Sequence, residues 1–219
     1  MIVVNMNLRE VYANLTEDRR KVEWKRDALL ERAEKEIRQQ GVYPAWLMYD
    51  YTIPSSNNQH IIYFYAEHPL SKVEGGYLCV VYDDSQRYIL KWTDGDIPEI
   101  HVLTSHFLQR YKERCLKEQG LTANEVAVRF LTRNHYMRPL QIDERINTHI
   151  EQHGEYAGEG FLVPDGFCFK LSGEEKYDDG TAICISMYTT FMRTADMSDR
   201  QREAILDACM KDAEELELK

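Results

Sequence analysis

AWLMYDYTIPSSNNQHIIYFYAEHPLSKVEGGYLCVVYDDSQRYILKWTD, residues 45–94, decides the fold. Four runs inside it, AWLMYDYTI, HIIYFYAE, GYLCVVYDD and RYILKWTD, are dense in Ile, Val, Tyr, Phe and Trp. Pro, Ser, Asn, Asp and Gly bound them, as they bound strands. Four strands in succession with short connections predict antiparallel pairing, a four-stranded meander.

Upstream, the chain predicts a long helix from about Glu17 to Gln40. Thr16 suits its N-cap, Glu17 and Asp18 its positive start, and Gly41 its end. Val22, Leu29, Leu30, Ala33 and Ile37 form a narrow apolar stripe among charges, the pattern of a surface helix packed on one face. Downstream, the period changes at Thr104. VLTSHFLQRYKERCLKEQG, residues 102–120, reads as one helix ended by Gly120, and LTANEVAVRFL as a second, opened by a Thr122/Glu125 capping box. Residues 134–160 read as loops with a short helix around 141–152. GFLVPDGFCFKL then suits a β-hairpin turning at Pro164, Asp165 and Gly166, and TAICISMYTTFM a further strand. Ser198 and Gln201 open a closing helix. The fold class is α+β with a largely antiparallel sheet. The absence of a Pro/Gly/Ser-rich linker favours one domain over residues 1–219; the alternative subdivides it into 1–98 and 99–219.

The 219 residues carry a net charge of -10, with 43% hydrophobic and 29% charged residues. That balance is globular and works against unassisted binding to nucleic acid or anionic membranes. Residues 101–138 run the other way, with seven Lys/Arg against three Asp/Glu, a net of +4. The five cysteines form no CxxC pair, and three lie in apolar runs; buried free thiols of a reducing cytosol are the plain expectation. MIVVNMN lacks the basic flank of a signal sequence, and no run approaches the roughly 18 apolar residues of a membrane span. A cytoplasmic protein without membrane contact is expected. Oligomeric state is not legible.

On the 102–120 helix, His106, Arg110 and Arg114 recur at i, i+4 and i+8. His106 in the first turn suits a neutral general base near an anion, and the arginines suit phosphoryl oxygens. The competing expectation is a solvated stripe, with Glu113 or Glu118 pairing the arginines. Tyr111 falls off that edge, toward Phe107, Leu108 and Cys115. On the strand CISMYTTFM, alternation sets Ser186, Tyr188 and Thr190 on one face, available to a substrate or simply half-exposed. His149 and His153 share a helical face but lack the surrounding ligands of a metal site, so neither metal nor cofactor is expected. Dinucleotide, P-loop and nucleophile-elbow motifs do not occur.

The order SHFLQRYKER helix, GLTANEVAVRFL helix, GEGFLVPDGFCFKL hairpin and CISMYTTFM strand resembles the ribonuclease-toxin superfamily of colicin D-like, RelE-like and BrnT-like domains. It covers residues 101–195. The resemblance implies metal-independent cleavage of RNA. His106 would act as base or acid and Arg110 as phosphate clamp, with Lys170 and Tyr188 or Thr190 adding contacts. Arg114 and Arg193 are further additions. The chain departs from that family in its acidity, its size and its acidic last helix. Two functions therefore stand as expectations: an RNA-binding or RNA-cleaving protein, and a non-enzymatic interaction protein of phage or mobile-element type that meets a protein partner.

Overall fold

The computed structural model describes residues 1–3, 6–83, 86–141 and 159–217, with side chains to residue 211. The fold is α+β: four α-helices among the described residues and a nine-stranded, mostly antiparallel sheet in the order β1-β2-β3-β4-β5-β9-β8-β7-β6. The chain divides into two compact units, Met1–Val102 with Glu174–Ile185, and Leu103–Gly173 with Ser186–Lys219. No described helix is long and apolar enough to cross a membrane.

The first unit opens with α1 (Leu8–Gln40), which begins well before the expected Glu17. Asn7 and Glu10 close a capping box there, each side chain accepting the other's backbone N–H. LREVYANL carries the helix period, so residues 8–16 extend the helix rather than precede it. Leu15, Asp18, Val22, Ala33 and Ile37 form the buried stripe. Gly41, at φ 67, ends the helix. The strands β1 (Ala45–Thr52), β2 (Gln59–Ala66), β3 (Glu74–Asp83) and β4 (Gln86–Thr93) pair antiparallel in succession. Val22, Ala33 and Ile37 of α1 pack on Ile62, Phe64 and their neighbours, with Leu47, Tyr49 and Tyr51 alongside. Gly76 lies under the Tyr63 ring, where a Cβ would come within 2.3 Å of the hydroxyl oxygen. Residues 174–185 join this unit because the start of α1 holds them. Leu8 N–H donates to Glu175 at 3.0 Å, Arg9 pairs with Asp179, and the Arg9 guanidinium lies 4.9 Å from the Tyr177 ring centre.

β5 (Glu99–Thr104) leads into the second unit, and the sequence reading passed over this short strand. The expected single helix over 104–120 is two pieces: α2 (Ser105–Tyr111) and a π-helical turn (Lys112–Leu116). It stops at Lys117, φ 55, three residues before Gly120. α3 (Ala123–Arg133) opens on the Thr122/Glu125 capping box. β6 (Arg138–Gln141) is a second strand outside expectation; its Pro139 is compatible because β6 is the sheet's last strand, where a missing N–H costs no ladder bond. β7 (Glu159–Val163), β8 (Gly166–Lys176) and β9 (Ala182–Arg193) follow, with Val163 opposite Gly166 across the hairpin turn. α4 (Asp199–Glu217) starts where Ser198 and Gln201 cap each other. The short helix expected near 141–152, with His149 and His153, falls outside the described residues.

Two apolar clusters stand out among the described residues of the second unit. Phe107 and Tyr111 of α2 meet Phe130 of α3 and Phe191 of β9, ring centres 4.9 to 6.3 Å apart. Phe167 and Phe169 of β8 pack with Leu140, Met197 and the Ala204/Ile205 face of α4.

Candidate functional site

The second unit contains every residue of the expected site. At the start of α2, Thr104 Oγ1 accepts the Phe107 N–H at 3.1 Å and donates to the Tyr188 carbonyl at 2.8 Å, fixing the helix to β9. Phe107, Leu108 and Tyr111 turn inward, which leaves His106 exposed in the first turn. One turn on, Arg110 donates to Glu113 at 3.1 Å, and Gln109 donates to the same carboxylate at 2.9 Å. The Gln109 bond chiefly holds the Glu113 carboxyl below its ordinary range; burial opposes it, and the Arg110 bond adds to the lowering. Arg114 leaves the edge altogether, donating to the Phe191 carbonyl of β9.

Lys170 and Tyr188 lie inside. Lys170 is 8% exposed; its amine is 3.2 Å from Ser186 Oγ, 3.4 Å from a Glu159 carboxylate oxygen and 4.4 Å from the Phe161 ring centre. A hydrogen bond from Ser172 keeps Glu159 ionised to lower pH, Lys170 adding to it after burial opposes it. Tyr188 is 1% exposed, with Phe107, Phe130 and Phe161 ring centres at 5.2, 6.0 and 5.7 Å. Its hydroxyl points at Met137 Sδ, 3.3 Å away. Thr190 is half-buried. The hydroxyl face expected to be open is therefore covered at Ser186 and Tyr188. Tyr188 and Phe191 both reach Phe107, which strict alternation along β9 does not allow. Lys170 and Tyr188 thus share Phe161, while His106 and Arg110 share the outer edge of α2. Arg193 pairs with Asp196 at 2.7 Å.

The densest polar convergence lies elsewhere, around Asp165 in the β7–β8 turn. Arg133 grips its carboxylate with Nε and a terminal nitrogen at 2.9 and 2.8 Å. Asn134 Nδ2 donates at 3.1 Å, the buried Tyr111 hydroxyl donates as well, and Asp165 N–H returns a bond to Asn134 Oδ1 at 3.0 Å. Burial alone would raise the Asp165 pKa; the Arg133 and Tyr111 hydrogen bonds outweigh it and lower it. Burial, then Asp165, drives the Tyr111 phenol far above its ordinary value, so it stays a donor. Burial also pushes the nearby Cys115 thiol up to about 11, with the Asp165 charge helping. A protonated phenol, a protonated thiol and a saturated carboxylate make a structural lock rather than an acid–base pair. The turn chemistry of PDG had accounted for Asp165 without it; its partners lie 31 to 54 residues away in sequence.

Between α2 and α3, Gln109, Lys112, Glu113, Lys117 and Glu118 line an open concavity of about 400 Å³. Its cations and anions balance, and Glu118 binds Arg129 at 2.6 Å. Among the described residues no group of three or more His, Cys, Asp or Glu is placed to hold a metal ion. No family model, no curated protein and no solved structure matches this chain.

Proposed function

We propose that the protein acts by binding a protein partner, without cleaving RNA. The position of the Lys170 and Tyr188 head groups carries this reading. An acid–base mechanism needs groups that converge on one substrate atom within hydrogen-bond reach. Here the Lys170 amine is engaged by Glu159 and Ser186, and the Tyr188 hydroxyl is sealed against Met137. The arginines among residues 101–138 are also engaged internally. Arg110, Arg129 and Arg133 pair with carboxylates, and Arg114 and Arg138 donate to the Phe191 and Cys209 carbonyls.

RNA binding is the second reading, and the exposed edge of α2 favours it: His106 stands free of the packed face, with Arg110 41% exposed one turn away. One experiment separates the readings. Purified protein is incubated with a mixed tRNA and mRNA pool in EDTA, alongside His106→Ala and Arg110→Ala. Intact RNA that is not retained at low salt is the result expected of a protein-binding role. Retention lost in Arg110→Ala transfers the proposal to RNA. Cleavage abolished by His106→Ala refutes the non-catalytic reading.

A further inference from the structure

One residue on the buried stripe of α1 is an acid. Asp18 sits between Leu15 and Val22 and is 0% exposed. Its Oδ2 accepts from the Asn58 amide, from Ser56 Oγ at 3.0 Å and, at 3.4 Å, faces His60 Nε2. Asn58 in turn takes the Ile2 N–H at 2.7 Å on its Oδ1. A single carboxylate oxygen thus joins α1, the β1–β2 turn and β2, and through Asn58 the segment at Ile2. We propose that Asp18 and His60 form an acid-sensitive latch that holds the first half of α1 and the β1–β2 turn on the sheet, opened when His60 gains a second proton.

The geometry assigns the tautomer. A carboxylate only accepts, so His60 donates from Nε2 and its Nδ1 is bare at neutral pH. That Nδ1 and Asp18 Oδ1 are both buried without a hydrogen-bond partner, and among the described residues the Leu78 backbone is the only further support for a proton added to the ring, so that proton enters a poorly solvating site. The surroundings add the charge of the N-terminal ammonium, which acts on Cys79 against the effect of Asp18. Tyr51 of β1 and Cys79 of β3 stand opposite His60 in register, and the Trp92 ring of β4 lies 6.2 Å away. Burial, helped by Asp18, pushes the Cys79 thiol up to about 12, so it is neutral. Arg19 of α1 pairs with Asp94, its guanidinium 5.9 Å from the Trp92 ring centre. Among the described residues, Asp18 is therefore the one charge in hydrogen-bonding reach of the imidazole. Burial lowers the His60 pKa; the hydrogen bond and charge of Asp18, and the Leu78 backbone, oppose it and are outweighed.

Because the folded value lies below the ordinary 6.5, the latch is fully set above pH 6.5. It weakens as pH falls from there toward the folded value. The test uses the full chain. His60 is titrated by imidazole NMR, its signals assigned by their loss in His60→Gln, and amide exchange of residues 15–25 is compared at pH 7.5 and 5.5. Gln preserves a donor to Asp18 and does not titrate. The expected result is a His60 midpoint below 6.5, with protection of α1 amides falling on acidification, by no more than about tenfold, the ceiling of a decade per pH unit between 6.5 and 5.5, in wild type and not in His60→Gln. A midpoint at or above 6.5, or equal loss in both proteins, overturns the latch. Where His60→Gln does not fold, the wild-type midpoint, read with protection at the two pH values, decides.

Discussion

Replacing Asp165 with Asn tests whether the cluster at the β7–β8 turn is a lock. The substitution keeps size and removes charge. The Tyr111 hydroxyl keeps an acceptor in the new amide oxygen. Arg133 and Asn134 then compete for it, and one of their nitrogens meets an NH₂ group. Hydrogen bonds to charged groups contribute about 1.5–3 kcal/mol each. The Arg133 side chain is 42% exposed, so screening leaves its share at about 0–1 kcal/mol. The Tyr111 bond survives in neutral form at about half strength, losing roughly 1 kcal/mol, and the Asn134 bond is lost or weakened by a similar amount. The sum is about 2–3 kcal/mol, read as a shift of the urea midpoint with unchanged m-value. Tyr111→Phe should cost about 1–2 kcal/mol by leaving the carboxylate short of a donor. The double variant should fall short of the sum of the two single changes, since both act on one network. Asp165→Asn within about 0.5 kcal/mol of wild type would show that the network is not structural.

Other substitutions separate packing from chemistry. Tyr188→Phe removes the bond to the Met137 sulfur, a weak acceptor, and should cost under about 1 kcal/mol, whereas Tyr188→Ala opens a cavity among three aromatic rings and should cost about 3–5 kcal/mol. Thermal melts of the pair decide it. Gly160→Ala should fail to fold, because its Cβ would lie 2.3 Å from the Phe167 ring and 2.5 Å from the Cys168 carbonyl oxygen; soluble yield and circular dichroism report this. The Asp165 carboxyl, lowered in the fold, adds stability present above its ordinary 3.8 and lost as pH falls through the folded value. Acid unfolding of Asp165→Asn should therefore be less steep below pH 4 than that of wild type.

The strands between residues 45 and 94 were legible because aromatic and β-branched side chains are bounded there by turn residues, a local signal. The capping boxes at Thr122/Glu125 and Ser198/Gln201 were legible for the same reason: each is complete within four residues. β5 and β6 escaped because six residues holding a His, and four holding a Pro, give no period to read; their partners in the sheet define them. The split of the 104–120 helix escaped too, since a π-helical turn uses ordinary helix formers and differs only in which carbonyl each N–H meets.

The site was hard to read for a related reason. Helical spacing predicts which residues share an edge, and His106 with Arg110 does share one. It says nothing of what waits across the gap. Arg114 finds the Phe191 carbonyl, 77 residues on, and Arg133 finds Asp165, 32 residues on. Lys170 finds the Phe161 ring. In each case a charge that looks available in sequence is neutralised or covered by a distant element. Asp18 and His60 reverse the error: a polar residue in an apolar stripe looks like a misfit until its partners in the next two elements are in place. Charged residues at core-facing positions are thus the ones whose roles depend most on tertiary partners, and the stability of variants at His60 and Asp165 should depend on pH differently from that of wild type.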